Sequence, residues 1–253
     1  MSLFARLHRA AALVLVVSVL GACAGSNQQV LTPAGINDPY EAQNRKVHAF
    51  NRGLDRAVVR PVAVSYSKIL PDEIEETIGN FATNLGQPSV MVNSLLQGDL
   101  RGFGQSTLRF TINSTLGLLG FFDPATEFKM ADHDTDFGET LYVWGAGEGV
   151  YLELPLLGPS TARSATGRFV DLFTNPLTYV LDSPEEYYGT AASVASGLGY
   201  RGRFSDTVDS ILYESADSYA QARLIYLQNR RFTLGDTESA VDIDPFEVDT
   251  EGF

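Results

Sequence analysis

One cysteine and three histidines are all that 253 residues offer of the side chains most used in redox, metal and nucleophilic chemistry. A lone thiol forms no intramolecular disulfide and no cysteine-based metal cluster, so packing and hydrogen bonding must hold the fold. Basic residues are scarce as well, 18 against 31 acidic ones, leaving a formal charge of −13. That sign excludes nucleic acid as a natural partner and gives no general attraction to anionic headgroups. Contact with lipid must then be apolar and governed by shape. No apolar run approaches the roughly 20 residues needed to span a bilayer. No Gly-x-Ser-x-Gly elbow is present, which makes a serine lipase a poor fit.

The cysteine stands in a telling place. Arg6 and Arg9, with no acid nearby, precede an apolar stretch from Ala10 to Leu20, and Leu20-Gly21-Ala22-Cys23 follows. A short apolar core behind a basic start is a secretory signal. Leu-Gly-Ala-Cys resembles the bacterial lipoprotein box, in which the cysteine sulfur takes a diacylglyceryl group, the chain is cut before it and the new amino terminus is acylated. Cys23 is therefore the expected lipidation site, carrying palmitate-type chains. Several chains, at about 0.8 kcal/mol per buried methylene, hold a protein at a membrane without any spanning helix. An incidental cysteine in an ordinary cleavable signal is the alternative. Ala24, where an aspartate would resemble an inner-membrane retention signal, favours the outer membrane and its periplasmic side. Loss of residues 1–22 removes two arginines and no acid, moving the formal charge from −13 to −15.

Residues 1–22 thus read as signal, 23–36 as a lipidated tether, 37–231 as one helical domain and 232–253 as a disordered acidic tail. The tail carries Asp236, Glu238, Asp242, Asp244, Glu247, Asp249 and Glu251 without a basic residue, and has little to bury. Between the tails the apolar period is helical. Asp38-Pro39-Tyr40-Glu41 has the form of an N-cap, an N1 proline and an N3 glutamate opening a helix over 39–59, which Arg60-Pro61 interrupts. Pro61 begins a segment to Ile69. Pro71 begins another, with Asp72, Glu73, Glu75 and Glu76 near its positive end, and Gly86-Gln87-Pro88 breaks it. Helices are expected at 89–97, 100–118, 137–144, 161–173, 184–198 and 204–230, and an extended piece at 150–155. The class is mainly all-α with one short extended or hairpin element.

From Thr111 to Phe122 no charge occurs, and Leu116, Leu118, Leu119, Phe121 and Phe122 crowd around two glycines. Two readings stand: a buried core helix, or a segment placed among acyl chains by an anchored protein. Enzymatic and metal motifs fail on spacing. Asp132-His133-Asp134-Thr135-Asp136-Phe137-Gly138 has the flavour of a calcium loop, but its glycine falls one place late and position twelve is Val143. Gly145-Ala146-Gly147-Glu148-Gly149 lacks the last spacing of a dinucleotide loop and follows a predicted helix where a strand is required.

The runs Asn37-Asp38-Pro39-Tyr40-Glu41, Asn44-Arg45, Phe50-Asn51 and Val59-Arg60-Pro61-Val62-Ala63 resemble the first half of the VacJ/MlaA phospholipid-transport lipoproteins. The order continues through Asn80-Phe81, Asn84-Leu85, Leu96-Gln97-Gly98, Arg109-Phe110, Asn113-Ser114 and Gly117-Leu118-Leu119-Gly120-Phe121-Phe122-Asp123-Pro124-Ala125. It closes with Asp136-Phe137-Gly138-Glu139, Trp144-Gly145-Ala146-Gly147 and Leu154-Pro155-Leu156-Leu157-Gly158-Pro159. Where the family usually has an aspartate after Arg163, this chain has Ser164, which puts a cap or salt bridge there in doubt. The resemblance implies a ring-shaped helical lipoprotein in the inner leaflet of the outer membrane, with an amphipathic channel for phospholipid and no cofactor or metal. It implies a trimeric porin and a soluble periplasmic lipid-carrier protein as partners, and removal of misplaced phospholipid from the outer leaflet. The loop with Phe121, Phe122, Asp123, Pro124 and Phe128 is its candidate channel mouth. An envelope scaffold without lipid conduction is the alternative. If Cys23 is acylated, Cys23→Ser leaves the precursor unprocessed and removes the protein from the outer-membrane fraction; normal membrane retention of that variant contradicts the anchor.

Overall fold

Asn37, Asn44 and Asn51 recur every seven residues, a spacing that sets them on one side of a helix and its approach. The computed structural model, which describes residues 36–236, shows what that side holds. Helix α1 (Glu41–Leu54) lies against a hairpin of β1 (Tyr151–Leu154) and β2 (Gly158–Thr161), paired antiparallel with Tyr151 opposite Thr161. Asn44 Nδ2 donates to the Tyr151 carbonyl (3.1 Å) and its Oδ1 accepts from the Glu153 N–H (3.0 Å). Asn51 repeats the pattern on the Leu154 carbonyl and the Leu156 N–H, both at 2.9 Å. Each amide thus supplies the donor and acceptor that a third strand would have given to this edge.

Beyond α1 the backbone stays helical through a π-turn (Asp55–Val59) into α2 (Arg60–Ile69). The other elements are α3 (Asp72–Gln97), α4 (Leu100–Thr115), α5 (Pro124–Glu127), α6 (Phe137–Val143) and, after the hairpin, α7 (Ala162–Asp171) and α8 (Leu177–Val180). The chain ends in α9 (Tyr188–Arg203), α10 (Ser205–Asp209), a second π-turn (Ser210–Glu214) and α11 (Ser218–Thr233). Their contacts run in a closed circuit. Helix α2 packs on α9, α9 on α3, α3 on α4 and α6, α6 on α7, α7 on the hairpin, and the hairpin on α1. This is a ring of helices closed by one hairpin. No helix among the described residues is long and apolar enough to cross a membrane.

The positions buried between these elements are mostly polar. Among the described residues 22 buried positions are polar or charged and only ten are hydrophobic, whereas leucines, phenylalanines and tyrosines populate the exposed set. Small residues allow the close approaches. A Cβ on Gly167 in α7 would lie 2.2 Å from the Gly138 backbone nitrogen, well inside contact distance, so the α6–α7 crossing requires hydrogen there.

Several expectations need correction. Pro88 does not end its helix: α3 continues to Gln97, with Asn175 Nδ2 donating to the Leu85 carbonyl (2.9 Å) where proline weakens the backbone ladder. Arg60-Pro61 does not interrupt the first helix; the π-turn just before it absorbs the proline. Asp38 is no N-cap, since no side chain caps α1, and its buried carboxylate accepts instead from Asn44, Tyr219 and Arg223. The single helix expected over 204–230 is split at Ser215–Asp217, where Asp217 caps α11 through the Ala220 N–H (3.1 Å) and chelates the Arg45 guanidinium. At Ser164 the cap survives the departure, because Thr161 Oγ1 accepts from the Ser164 N–H (3.2 Å). Of the two forms expected for the short extended element, the hairpin is the one present, its second strand running from Gly158 to Thr161 despite the Gly-Pro start. The Cys23 anchor, the signal, nearly all of the tether and most of the acidic tail lie outside the described residues.

Gly167→Ala is expected to destabilise the protein by about 1–3 kcal/mol, because the blocking atoms are backbone. Gly53→Ala, in a helix with nothing within 4 Å of the added methyl, is expected to stabilise it by about 0.5–1 kcal/mol. Denaturant unfolding of both variants in detergent checks the pair.

Candidate functional site

The uncharged run ends α4 and becomes a loop that holds its apolar side chains outward. Leu116, Leu118 and Leu119 are each more than 60% exposed, and Phe122 and Phe128 nearly as much. The core-helix reading of this run is therefore overturned. Leu118 and Leu119 both adopt left-handed backbone, at φ 51° and 63°, before Gly120 at 96°. Two consecutive leucines in that region cost of order 1–3 kcal/mol each, so their surroundings must fix them. Three bonds do. The Leu119 N–H donates to the Ser114 carbonyl (3.0 Å), the Gly120 N–H to Asn113 (2.8 Å), and Asn84 Nδ2 to the Leu119 carbonyl (3.1 Å). A Cβ at Gly120 would meet the Asn84 side chain at 2.4 Å, so only glycine satisfies both the conformation and the contact.

Behind the loop stands a polar anchor centred on Asp123. Its Oδ1 accepts from Asn113 Nδ2 (2.8 Å) and the Thr126 N–H (3.1 Å), and its Oδ2 from Arg109 Nη2 (2.9 Å) and Thr126 Oγ1 (2.6 Å). Arg109 Nη1 also donates to the Met130 carbonyl (3.0 Å), and the Ala125 N–H donates to Asn113 Oδ1 (3.1 Å). Arg109 and Asn113 lie one turn apart on α4, so both meet the same carboxylate. Burial raises the cost of the Asp123 charge, but the bonds from Thr126 and Asn113 and the Arg109 charge outweigh it and hold its carboxyl below the usual range. Phe121 stacks on Phe81 of α3, with centroids 4.8 Å apart and planes 17° apart. Rigid backing and an apolar, outward face thus occur together in the segment from Arg109 to Phe128.

The predicted site residues divide accordingly. Phe121, Phe122 and Phe128 are exposed in this loop, Pro124 starts α5 half-buried, and Asp123 serves the anchor. Asn37, Asp38, Asn44 and Asn51 hold the hairpin and the last helix on the opposite stretch of the ring, with Asn37 Nδ2 on the Gly149 carbonyl (3.3 Å). Arg45 binds Glu41 (2.7 Å) and Asp217, and Arg60 binds Asp209 (2.6 Å). Pro39, Tyr40, Phe50 and Pro61 face outward. Sequence reasoning gave no role to Asn84, Thr126, Tyr219 or Arg223. The signal available for the anchor was Arg109, the last charge before the neutral run, with Asn113 one turn on.

The chain matches the MlaA lipoprotein family over residues 36–233. It belongs to that family. The intermembrane phospholipid transport system lipoprotein MlaA of Escherichia coli is 34% identical over 259 residues, covering 96% of this chain and 99% of the relative. The protein of the same name in Haemophilus influenzae is 31% identical over 79% of this chain and 80% of its own length. An uncharacterised protein of Rickettsia bellii is 36% identical over 200 residues, 79% of this chain and 77% of the relative. A solved structure described as the structural basis for maintenance of bacterial outer membrane lipid asymmetry superposes with a TM-score of 0.67 at 34% identity. It covers 78% of this chain and 98% of that one. The helical ring is thus the fold of the family.

Because the folded Asp123 carboxyl titrates below its ordinary value, its contribution is full above the ordinary carboxylate range and is lost as pH falls through the lower folded value. Protection of the amides of residues 116–128, taken relative to their intrinsic exchange rates, is expected to fall over that acid window in the native chain. Asp123→Asn should lower that protection already at neutral pH, by about 2 kcal/mol, and abolish its dependence on acid. Unchanged exchange in the variant contradicts the anchor.

Proposed function

We propose that the protein is a lipid-anchored component of an intermembrane phospholipid transport system, held on the periplasmic side of the outer membrane. Its ring gives phospholipid an amphipathic path out of the outer leaflet and preserves lipid asymmetry. The observation that carries this reading is the loop at 116–128, whose leucines and phenylalanines are exposed together on a buried polar anchor. Water disfavours such a surface by roughly 25 cal/mol for each Å² left uncovered, and acyl chains do not. A headgroup needs polar partners along its route because burying it unpaired is costly. The names of the curated relatives support the same reading. Conduction requires no bond to be made or broken, so the protein acts without catalysis. A trimeric porin beside it and a soluble lipid carrier receiving the cargo complete the proposed system.

Phe122→Asp places a carboxylate where acyl chains would run, at a site already more than half exposed, so passage should suffer more than folding. In cells, surface phospholipid should rise while abundance and protease resistance stay normal. Normal surface lipid at normal abundance contradicts the path, and loss of the protein itself places Phe122 in the structural core.

A further inference from the structure

Arginines recur at 45, 52, 56 and 60, a spacing that sets them along one face of α1, the first π-turn and the start of α2. All four meet the same stretch of chain, from Asp209 to Ser218. Arg45 pairs with Asp217 (2.8 Å) and Arg60 with Asp209 (2.6 Å), so both ends of the row are neutralised. The middle is not. Arg52 Nη1 donates to Ser218 Oγ (3.4 Å), and the Arg56 guanidinium lies 4.5 Å from the centroid of the Tyr213 ring. Both arginines are exposed, and neither pairs with a carboxylate among the described residues, although Glu214 follows Tyr213 directly. Ser218 is fixed in turn by His48 Nε2 (3.0 Å), and the Tyr213 hydroxyl by Asp55 (2.6 Å). Two cations one turn apart are thus held in place with most of their N–H groups unused. Lys46, Lys68, Arg101 and Lys129, the other exposed cations without a carboxylate among the described residues, stand singly on other faces or elements.

The end of the chain has the opposite imbalance. Residues 237–253 hold Glu238, Asp242, Asp244, Glu247, Asp249 and Glu251 and no basic residue. Helix α11 begins at Ser218, beside Arg52, and its 16 residues carry the chain about 24 Å away. The 17 residues from 237 to 253 reach about 55 Å when extended, at about 3.3 Å each, so a return over that distance uses roughly the first eight. Glu247, Asp249 and Glu251 then arrive at the arginine row. Alternate residues of an extended chain fall on one side about 7 Å apart, and side chains one helical turn apart about 6 Å. Spacing therefore matches as well as sign. We infer that the end of this chain docks on Arg52 and Arg56 through Glu247, Asp249 and Glu251 and serves as their counter-ion. Each exposed ion pair is weak, but the tether presents the acids at an effective concentration on the order of millimolar. The docked tail closes an otherwise open cationic face to anionic lipid headgroups.

The full-length lipoprotein in detergent, with p-benzoylphenylalanine in place of Phe246, is irradiated and its crosslinks are mapped by mass spectrometry. Adducts are expected on residues 49–60 and 210–218, falling about fivefold or more at about 1 M salt, where the screening length is about 3 Å. Glu247→Gln/Asp249→Asn/Glu251→Gln should lower the yield as far at low salt. Arg52→Glu/Arg56→Glu should do the same, and adding Glu247→Lys/Asp249→Lys/Glu251→Lys to it should restore the crosslink, which a misfolded ring would not. Adducts spread evenly over the ring, a yield indifferent to salt and to the tail charges, or a charge swap that restores nothing while the unfolding curve stays native overturn the docking. The tail variant, which leaves every described contact intact, decides the case should the arginine variant unfold. Nanodiscs of phosphatidylglycerol against phosphatidylcholine test the other occupant. Amide shifts at Arg52 and Arg56 with phosphatidylglycerol are expected only in the neutral-tail variant; equal shifts in the native chain assign the face to anionic lipid and overturn the tail assignment. Crosslinking reads the tail and not lipid passage, so this result and the Phe122→Asp result fail independently.

Discussion

Hydrogen bonds and ion pairs between helices, in place of a large apolar core, are what hold the described ring together. Its apolar side chains are largely turned outward, so burial of hydrocarbon cannot be the main adhesive between neighbours. In lipid the same logic is general: without a hydrophobic drive between helices, small residues and polar contacts join them. Gly167 against the Gly138 backbone and the Asn44 and Asn51 amides on the hairpin are the local forms of that rule. The cost is that every buried polar group must be served. Among the described residues several buried side-chain atoms, Gln87 Oε1, Ser106 Oγ and Tyr226 Oη among them, have no hydrogen-bond partner within the protein.

Ion pairs fix the points where the ring would otherwise open. Arg201 of α9 donates to Asp55 at 3.0 and 2.7 Å and to Asp209 at 2.7 Å, joining the starts of the two π-turns. Tyr213 adds a bond to Asp55 (2.6 Å), and burial together with that bond pushes its hydroxyl up to about 12. On the far side, Asp38 accepts from both Tyr219 and Arg223 of α11. Arg45 reaches Asp217 at the head of that helix. Removing one partner of such a buried pair leaves an uncompensated charge and is far more damaging than replacing both. These contacts therefore specify the closure of the ring more than they add net stability.

Much of this was legible in the chain, and the failures share a cause. Helical periodicity located α1, α4 and α9 because those segments alternate apolar and polar faces whatever surrounds them. Pro88 and Pro61 misled because their cost is offset by partners distant in sequence, such as Asn175, or by a π-turn with no local signature. The break before α11 was invisible for the same reason, since Asp217 is held by Arg45 from the other end of the chain. The run at 111–122 was ambiguous because composition reports apolarity and not direction. Its outward placement depends on Asn84 and on two leucines in left-handed backbone, neither of which periodicity can register. The family resemblance supplied the ring, while Asp123 as an anchor and Gln87 as an orphan acceptor emerged only from the geometry.

The most direct test of an outward-facing apolar loop is photo-crosslinking with a phospholipid carrying a diazirine near the end of one acyl chain. The native lipoprotein is reconstituted with that lipid, irradiated, digested and mapped by mass spectrometry. Adducts concentrated on Leu118, Leu119, Phe121 and Phe122 are the predicted result. Adducts absent from residues 116–128, with the lipid bound elsewhere on the ring, would contradict it.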